Sequence, residues 1–349
     1  MRIVVLHNEP GEDAAVAETD VLVQLQAVAS ALRTLRHDTI QLSCTLDLES
    51  ARSRLLELEP DVVFNLVESL GGTDRLMTLA TMLLDALNLP YTGTSTEAIL
   101  STSNKLTSKQ RMRAAGLPTP GWFHAGTANV PPESTVALQD SSWILKPVLE
   151  HASFGMDDNA VVTASDPPSL FEQLRERERQ LERPCFAERF VAGREFNLSL
   201  LCGQVLPPAE IDFAAFPAGK PRIVGQRAKW DQDSFEYQQT LRTIRFPASD
   251  QELLNKLVEL AKSCWRLFGM AGYARVDFRV DALGQPWILE VNANPCLAPD
   301  AGFAAALAEA GTGYEDAIQR IVDDALPSTA LVPAGVIPDA IPDSLFQRP

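Results

Sequence analysis

The chain has 349 residues, 46% of them hydrophobic, with 30 Lys and Arg against 46 Asp and Glu, a net charge of −16. That length accommodates two or three domains with a sizeable core, and the apolar fraction excludes a mostly disordered protein. So acidic a chain repels nucleic acid and anionic lipid, which leaves small molecules as the expected partners. The opening MRIVVLHNEP is too short for a signal segment, and nothing later reaches the ~20 apolar residues of a membrane span. A soluble, cytoplasmic protein is expected. Five scattered cysteines without C-x-x-C, and four histidines without metal spacing, argue against a disulfide framework and a zinc site. A metal here would be a hard cation on oxygen ligands.

Arg2 to His7 reads as a buried strand, and Leu25, Val28, Ala29, Leu32 and Leu35 follow helical spacing. Thr39 to Cys44 is a second strand, Leu48 to Leu58 a helix, Asp61 to Val67 a third strand. Thr73 looks like the N-cap of a helix running to about Leu87. This alternation predicts a parallel, Rossmann-like sheet. The turn from Asn8 to Glu12 is nevertheless not G-x-G-x-x-G, and no P-loop occurs, so dinucleotide dehydrogenase and P-loop NTPase are poor readings. Ser103 to Ala115 reads as a basic helix closed by Gly116 and Pro118. Beyond it come strands at Trp143 to Pro147 and Ala160 to Thr163, with a helix at Leu170 to Leu181. The runs 185–203, 223–246 and 273–292 read as β-rich, with a helix from Asp250 to Phe268 between the last two. Five prolines after Leu326 predict a loop-like tail.

The chemistry concentrates in a hairpin, Arg275 to Asp281 and Trp287 to Pro295, turning at Leu283 to Pro286. With period two, Arg275, Asp277 and Arg279 share one face, and Glu290 and Asn292 share one face of the partner strand. Asp277, Glu290 and Asn292 then converge as oxygen ligands of the kind Mg²⁺ takes alongside phosphates. Arg275 is placed to meet transferring phosphoryl charge. A solvated hairpin face with alternating charges would look the same. Phosphate donors would come from Lys105, Lys109, Lys146 and Lys229, of which Lys146 ends an apolar strand. Gly71-Gly72-Thr73 is either an anion-binding helix start or a plain turn.

These landmarks, taken in order, resemble the ATP-grasp superfamily and, within it, the D-alanine–D-alanine ligase branch. The likeness runs over roughly 60–305: Val63 to Leu66, Pro90 to Gly93, Asn104 to Lys109, Gly116 to Pro120, Lys146 through Ser153 and Gly155, Glu188 to Glu195, Ala228-Lys229, and the hairpin. It implies a mixed α/β and α+β fold, a Rossmann-like N-terminal domain (1–95) followed by a two-lobed ATP-grasp fold (96–187 and 188–326), then the tail (327–349). It implies that Lys105 and Lys146 hold ATP phosphates, that Glu188, Phe190 and Val191 line the adenine hinge, and that Glu195 binds ribose. Lys229, in a mobile loop of about 219–245, would reach the γ-phosphate, and the loop around Ala152, Ser153 and Gly155 would close over the phosphates. Asp277, Glu290 and Asn292 would hold one or two Mg²⁺, replaceable by Mn²⁺.

Four positions depart from the branch. Glu68 stands in place of a His, Trp230 of a Tyr, Cys296 of a Gly and Ala301 of a Ser that helps hold the second substrate's carboxylate. Glu68, Trp230, Asn294 and Cys296 are therefore candidate substrate contacts, although Cys296 also fits as a small buried residue with no chemical role. The expected function is an ATP-dependent carboxylate–amine ligase working through an acyl phosphate on amino-acid-like substrates other than two D-alanines. An ATP-grasp kinase, D-alanine–D-alanine ligation itself, and nucleotide binding without turnover are the alternatives. A homodimer is compatible with the sequence.

Overall fold

The structure is a computed structural model that describes residues 1–11, 16–124, 141–150 and 152–326. The apolar run at the start of the chain becomes the central strand of a parallel sheet. β1 (Arg2–Asn8) lies between β2 (Asp38–Cys44) and β3 (Val62–Leu66). Ile3 to Leu6 and Val62 to Phe64 are fully buried, as strands covered on both faces must be. One cover is α1 (Val16–Thr34), which turns Val21, Leu25, Val28 and Leu32 inward at helical spacing. The other is α2 (Leu48–Leu58) with α3 (Thr78–Ala86), through Leu55, Ala80 and Leu84. Asp47 starts α2 by accepting a hydrogen bond from the Ser50 N–H at 3.1 Å.

One helix expectation needs correction. Thr73 does cap, but it caps a single 3₁₀ turn, Asp74–Leu76, and α3 begins only after Met77. The basic helix expected over Ser103 to Ala115 is α5 (Lys105–Ala114), and a further helix, α4 (Thr96–Ser103), precedes it. Asn104 breaks them apart: its backbone is extended, and its side chain accepts from the N–H groups of Leu106 and Thr107.

A four-stranded antiparallel sheet follows, in the order β4-β7-β5-β6. Its strands are β4 (Trp122–Phe123), β5 (Ser141–Pro147), β6 (Val161–Ala164) and β7 (Cys185–Arg189). Helix α6 (Pro167–Leu181) backs it through Leu170 and Leu174. The larger antiparallel sheet holds β8 (Arg194–Leu201), β9 (Gln204–Val205), β10 (Ala209–Asp212), β11 (Leu241–Thr243), β12 (Tyr273–Val280) and β13 (Pro286–Asn292). Its path is β11-β10-β8-β12-β13, with β9 on β8. The run 223–246, expected as β-rich, holds two short helices, α7 (Gln226–Trp230) and α8 (Phe235–Gln239), ahead of the short β11. Ahead of β11 this stretch lines the cleft instead of joining the sheet, so its backbone must find local partners, and Ser234 caps α8 accordingly.

The amphipathic α9 (Gln251–Phe268) packs Leu257, Ala261, Cys264 and Phe268 on the larger sheet and ends at Gly269 in the left-handed conformation. Then α10 (Gly302–Glu309) and α11 (Tyr314–Ala325) return the chain to the first sheet, where Ile318, Ile321 and Val322 share a core with Ile3, Val5 and Val21. Among the described residues no helix is long and apolar enough to cross a membrane. The Pro-rich tail and Glu12 lie outside the described residues.

Candidate active site

All three sheets contribute to one cleft of about 700 Å³. Its floor is the β12–β13 hairpin, where Arg275 pairs with Asn292 and Asp277 with Glu290 directly across the strands. The register slips by one residue between Asp277 and Phe278, because Leu289 is unpaired and Ile288 faces Phe278. That bulge is decisive. Ile288 and Val291 are buried in the core, so strict alternation from Ile288 would have sent Glu290 and Asn292 into it as well. The extra residue resets the phase, and Leu289, Glu290 and Asn292 all line the cleft.

Two carboxylates directly opposed across strands repel each other unless cations are close. Arg275 supplies one, donating from Nε at 2.7 Å and from a terminal nitrogen at 2.8 Å to Asp277, which also accepts from the Asn197 amide at 2.8 Å. Lys105 supplies another, with Nζ 3.5 Å from Glu290. Asn292 turns its side-chain oxygen to the Asn294 N–H at 3.0 Å. Two carboxylates and an amide oxygen on one face are hard donors of the type Mg²⁺ accepts.

On the facing sheet, Glu188 is fully buried between the ammonium groups of Lys109 and Lys146, to both of which it is ion-paired. Burial alone would raise its pKa; the two lysines overcome that and hold it below the ordinary carboxylate range. Lys109, a candidate phosphate donor by sequence, is enclosed and also bonded to Thr119 at 2.8 Å. It supports Glu188 and does not face the cleft, whereas Lys105 and Lys146 do. Phe190 and Val191 line the cleft next to Glu188, and Glu195 on β8 is ion-paired with Arg279 at 2.7 Å. Gly193, between β7 and β8, has φ +147°, and a Cβ there would fall 2.0 Å from the Val280 carbonyl oxygen. Only glycine fits.

The segment across the cleft is latched to the 152–156 turn. Ser153 Oγ donates to Val224 O at 2.9 Å, Gln226 N to Met156 O at 2.8 Å, and Trp230 Nε1 to Ala152 O at 3.0 Å. Trp230, a candidate substrate contact by sequence, thus also serves this latch. Lys229 points into the same space; burial, and then the charge of Arg275, lowers its pKa.

At the other end stands an acidic group that sequence reasoning found only in part. Glu68 accepts from the Gln24 amide at 2.8 Å, while Gln24 accepts from Leu297 N at 2.9 Å. Burial raises the Glu68 pKa from 4.5 to about 7. Cys296 Sγ lies 3.1 Å from Asp20 Oδ2, and burial, then Asp20, push its thiol pKa up. Such a thiol is a poor nucleophile, in keeping with a packing role. Asn294 accepts from the Tyr273 hydroxyl at 2.6 Å and donates to Val67 O at 3.3 Å, joining β13 to β3. Ala301 is the N-cap position of α10 and offers no side-chain bond. Sequence reading missed Asp20, Gln24, Asn197 and Arg242. Gln24 carried a signal, being a polar residue at a core position of α1 between Val21, Leu25 and Val28.

Two antiparallel sheets closing on a cleft, with buried lysine–carboxylate pairs on one and an oxygen-donor hairpin on the other, fit an ATP-grasp ligase, an ATP-dependent enzyme joining a carboxylate to an amine, and the comparisons with known proteins bear that class out. Residues 112–323 match the family described as D-ala D-ala ligase C-terminus. A D-alanine–D-alanine ligase of Gloeobacter violaceus is 31% identical over 93% of this chain and all of its own length, and one from Synechococcus is 30% identical over 98% of this chain. The ligase of Bacillus anthracis, solved with ATP, superposes with a TM-score of 0.70 at 18% identity, covering 93% of this chain and 97% of its own. The chain belongs to the D-alanine–D-alanine ligase family.

Proposed function

We propose that this enzyme uses ATP and Mg²⁺ to join two small amino acids, the carboxylate of one to the amine of the other, with D-alanine as the first substrate to assign to both positions. The observation that carries it is the division of the cleft: phosphate-binding cations and the Asp277–Glu290–Asn292 face at one end, the carboxylates Asp20 and Glu68 at the other. Full-length relatives named D-alanine–D-alanine ligase support D-alanine over the different pair expected from Glu68, Trp230, Cys296 and Ala301.

In this reading Lys105 and Lys146 neutralise the phosphates, and the strand from Glu188 to Val191 with Glu195 holds the nucleoside. Asp277, Glu290 and Asn292 would hold Mg²⁺, which when bound withdraws charge from the phosphates. The donor's carboxylate oxygen attacks the γ-phosphorus and ADP leaves. Arg275 and Lys229 offset the charge that develops in this transfer. The amine of the second substrate then attacks the acyl carbon, phosphate departs, and the ammonium proton is lost. The latch between 152–156 and 224–230 excludes water that would hydrolyse the acyl phosphate. Supplying D-alanine at tens of millimolar with ATP and Mg²⁺ should release ADP together with dipeptide. ADP release with a stable phosphorylated product would replace this reading by a kinase. Release only with another amino-acid pair would overturn the substrate assignment.

A further inference from the structure

Arg242, one of the arginines that line the cleft, has no task in that scheme. Arg242 stands on the edge strand β11 and lines the amino-acid end with Cys296, Asp300, Ala301 and Gly302. Its guanidinium lies against the start of α10: a Cβ placed on Gly302 would be 3.8 Å from its Cζ and Nε. Arg275, Arg279 and Arg183 of the cleft wall are each ion-paired, to Asp277, Glu195 and Glu150. Arg242 makes no hydrogen bond or ion pair within 4 Å among the described residues. Burial and the nearby charge of Arg275 lower its pKa, whereas the carboxylate of Asp300 works the other way. An anion at this spot would relieve that strain on the charge.

The reaction supplies such an anion. The donor's carboxylate has to face the phosphates, beside Lys229 and Arg275. The acceptor presents its amine to the same carbon, so its own carboxylate trails away from the phosphates, towards Arg242 and α10. A guanidinium fork matches a carboxylate in shape and charge. We propose that Arg242 holds the carboxylate of the acceptor and thereby restricts the acceptor to free amino acids, against amides and esters. This rests on the ligase reading above.

D-Alaninamide separates the two possibilities, because it has no carboxylate to activate and can serve only as acceptor. With D-alanine as donor and D-alanine and D-alaninamide competing as acceptors, the unmodified enzyme should favour the free-acid dipeptide about ten- to a hundredfold, the range of a charged hydrogen bond. Arg242→Met should bring the two products to within about threefold, raise the KM of the acceptor and leave the KM of ATP in place. Arg242→Lys, which keeps the charge without the fork, should fall between. An unchanged product ratio in Arg242→Met, with dipeptide still formed, overturns this proposal and leaves the ligase reading standing. If Arg242→Met fails to fold, an unchanged ratio in Arg242→Lys overturns it equally. Absence of ADP release with any amino-acid pair in the unmodified enzyme removes the ligase reading, and this proposal with it.

Discussion

Around Glu188 two ammonium groups share one fully buried carboxylate before any ligand arrives, leaving one positive charge over, and Asp277 and Glu290 have Arg275 and Lys105 at hand. At the other end of the same cleft Glu68 is held by an amide, Asp20 by a thiol, and Arg242 by no charged partner within 4 Å among the described residues. The first end is preorganised: its charges are fixed where the proposed function would lay the ATP phosphates, which would lower the reorganisation needed at the moment of transfer. The second end keeps charge in reserve for its ligands. An enzyme that must treat every ATP alike but discriminate among amino acids benefits from the contrast.

The strongest way to break the comparison is at the hairpin. Asp277→Asn or Glu290→Gln should reduce ADP formation by about a thousandfold or more at millimolar Mg²⁺ while the fold survives. Near-normal turnover would remove the metal assignment. Next comes the buried pair. Lys109→Met leaves Glu188 short of a partner and should cost about 3 kcal/mol in a urea titration, whereas Arg242→Met should stay within about 0.5 kcal/mol. Equal costs would show that the two ends are not differently organised. Lys229→Ala should lower kcat about ten- to a hundredfold with little change in the KM of ATP. A non-hydrolysable ATP analogue with Mg²⁺ should protect 219–245 from protease, and equal cleavage with and without it would deny the segment a covering role.

The smallest effect is one of pH. Glu68 binds its proton more tightly in the folded state, at about 7 against an ordinary 4.5. The native state therefore carries the extra proton between those values, and stability falls as pH rises through that window. Glu68→Gln should remove the slope and gain about 1–2 kcal/mol at pH 8, while adding little at pH 4. Parallel pH profiles for the two proteins would contradict the burial of that carboxyl.

The parallel sheet was legible because its strands are near-continuous apolar runs and its helices are amphipathic, signals that survive without tertiary context. Asp277, Glu290 and Asn292 were legible as a set for a similar reason, since they lie close together in one hairpin. The bulge at Leu289 was not, because only the competing burial of Ile288 and Val291 reveals that alternation must slip. Nor was the fold of 223–246, of which only short pieces such as Phe235 to Gln238 alternate like a strand's while its backbone is drawn to the 152–156 turn. Asp20 and Arg242 each look like ordinary surface polar residues along the chain; they line one cleft only because α1, β3, β11 and the segment after β13 converge in space. Lys109 misled in the opposite direction, since a basic helix gives no hint of which lysine will be enclosed.

Gly193 bears on how mutational data for this enzyme should be interpreted. Any side chain at that position would collide with the backbone of β12, a contact that no neighbouring rotamer change can relieve. A saturation library scored for activity should therefore show a row of dead variants at 193, indistinguishable in depth from those at Asp277 or Glu290. The deficit there would be architectural, and expression level or melting temperature, measured alongside turnover, would tell the two kinds of intolerance apart.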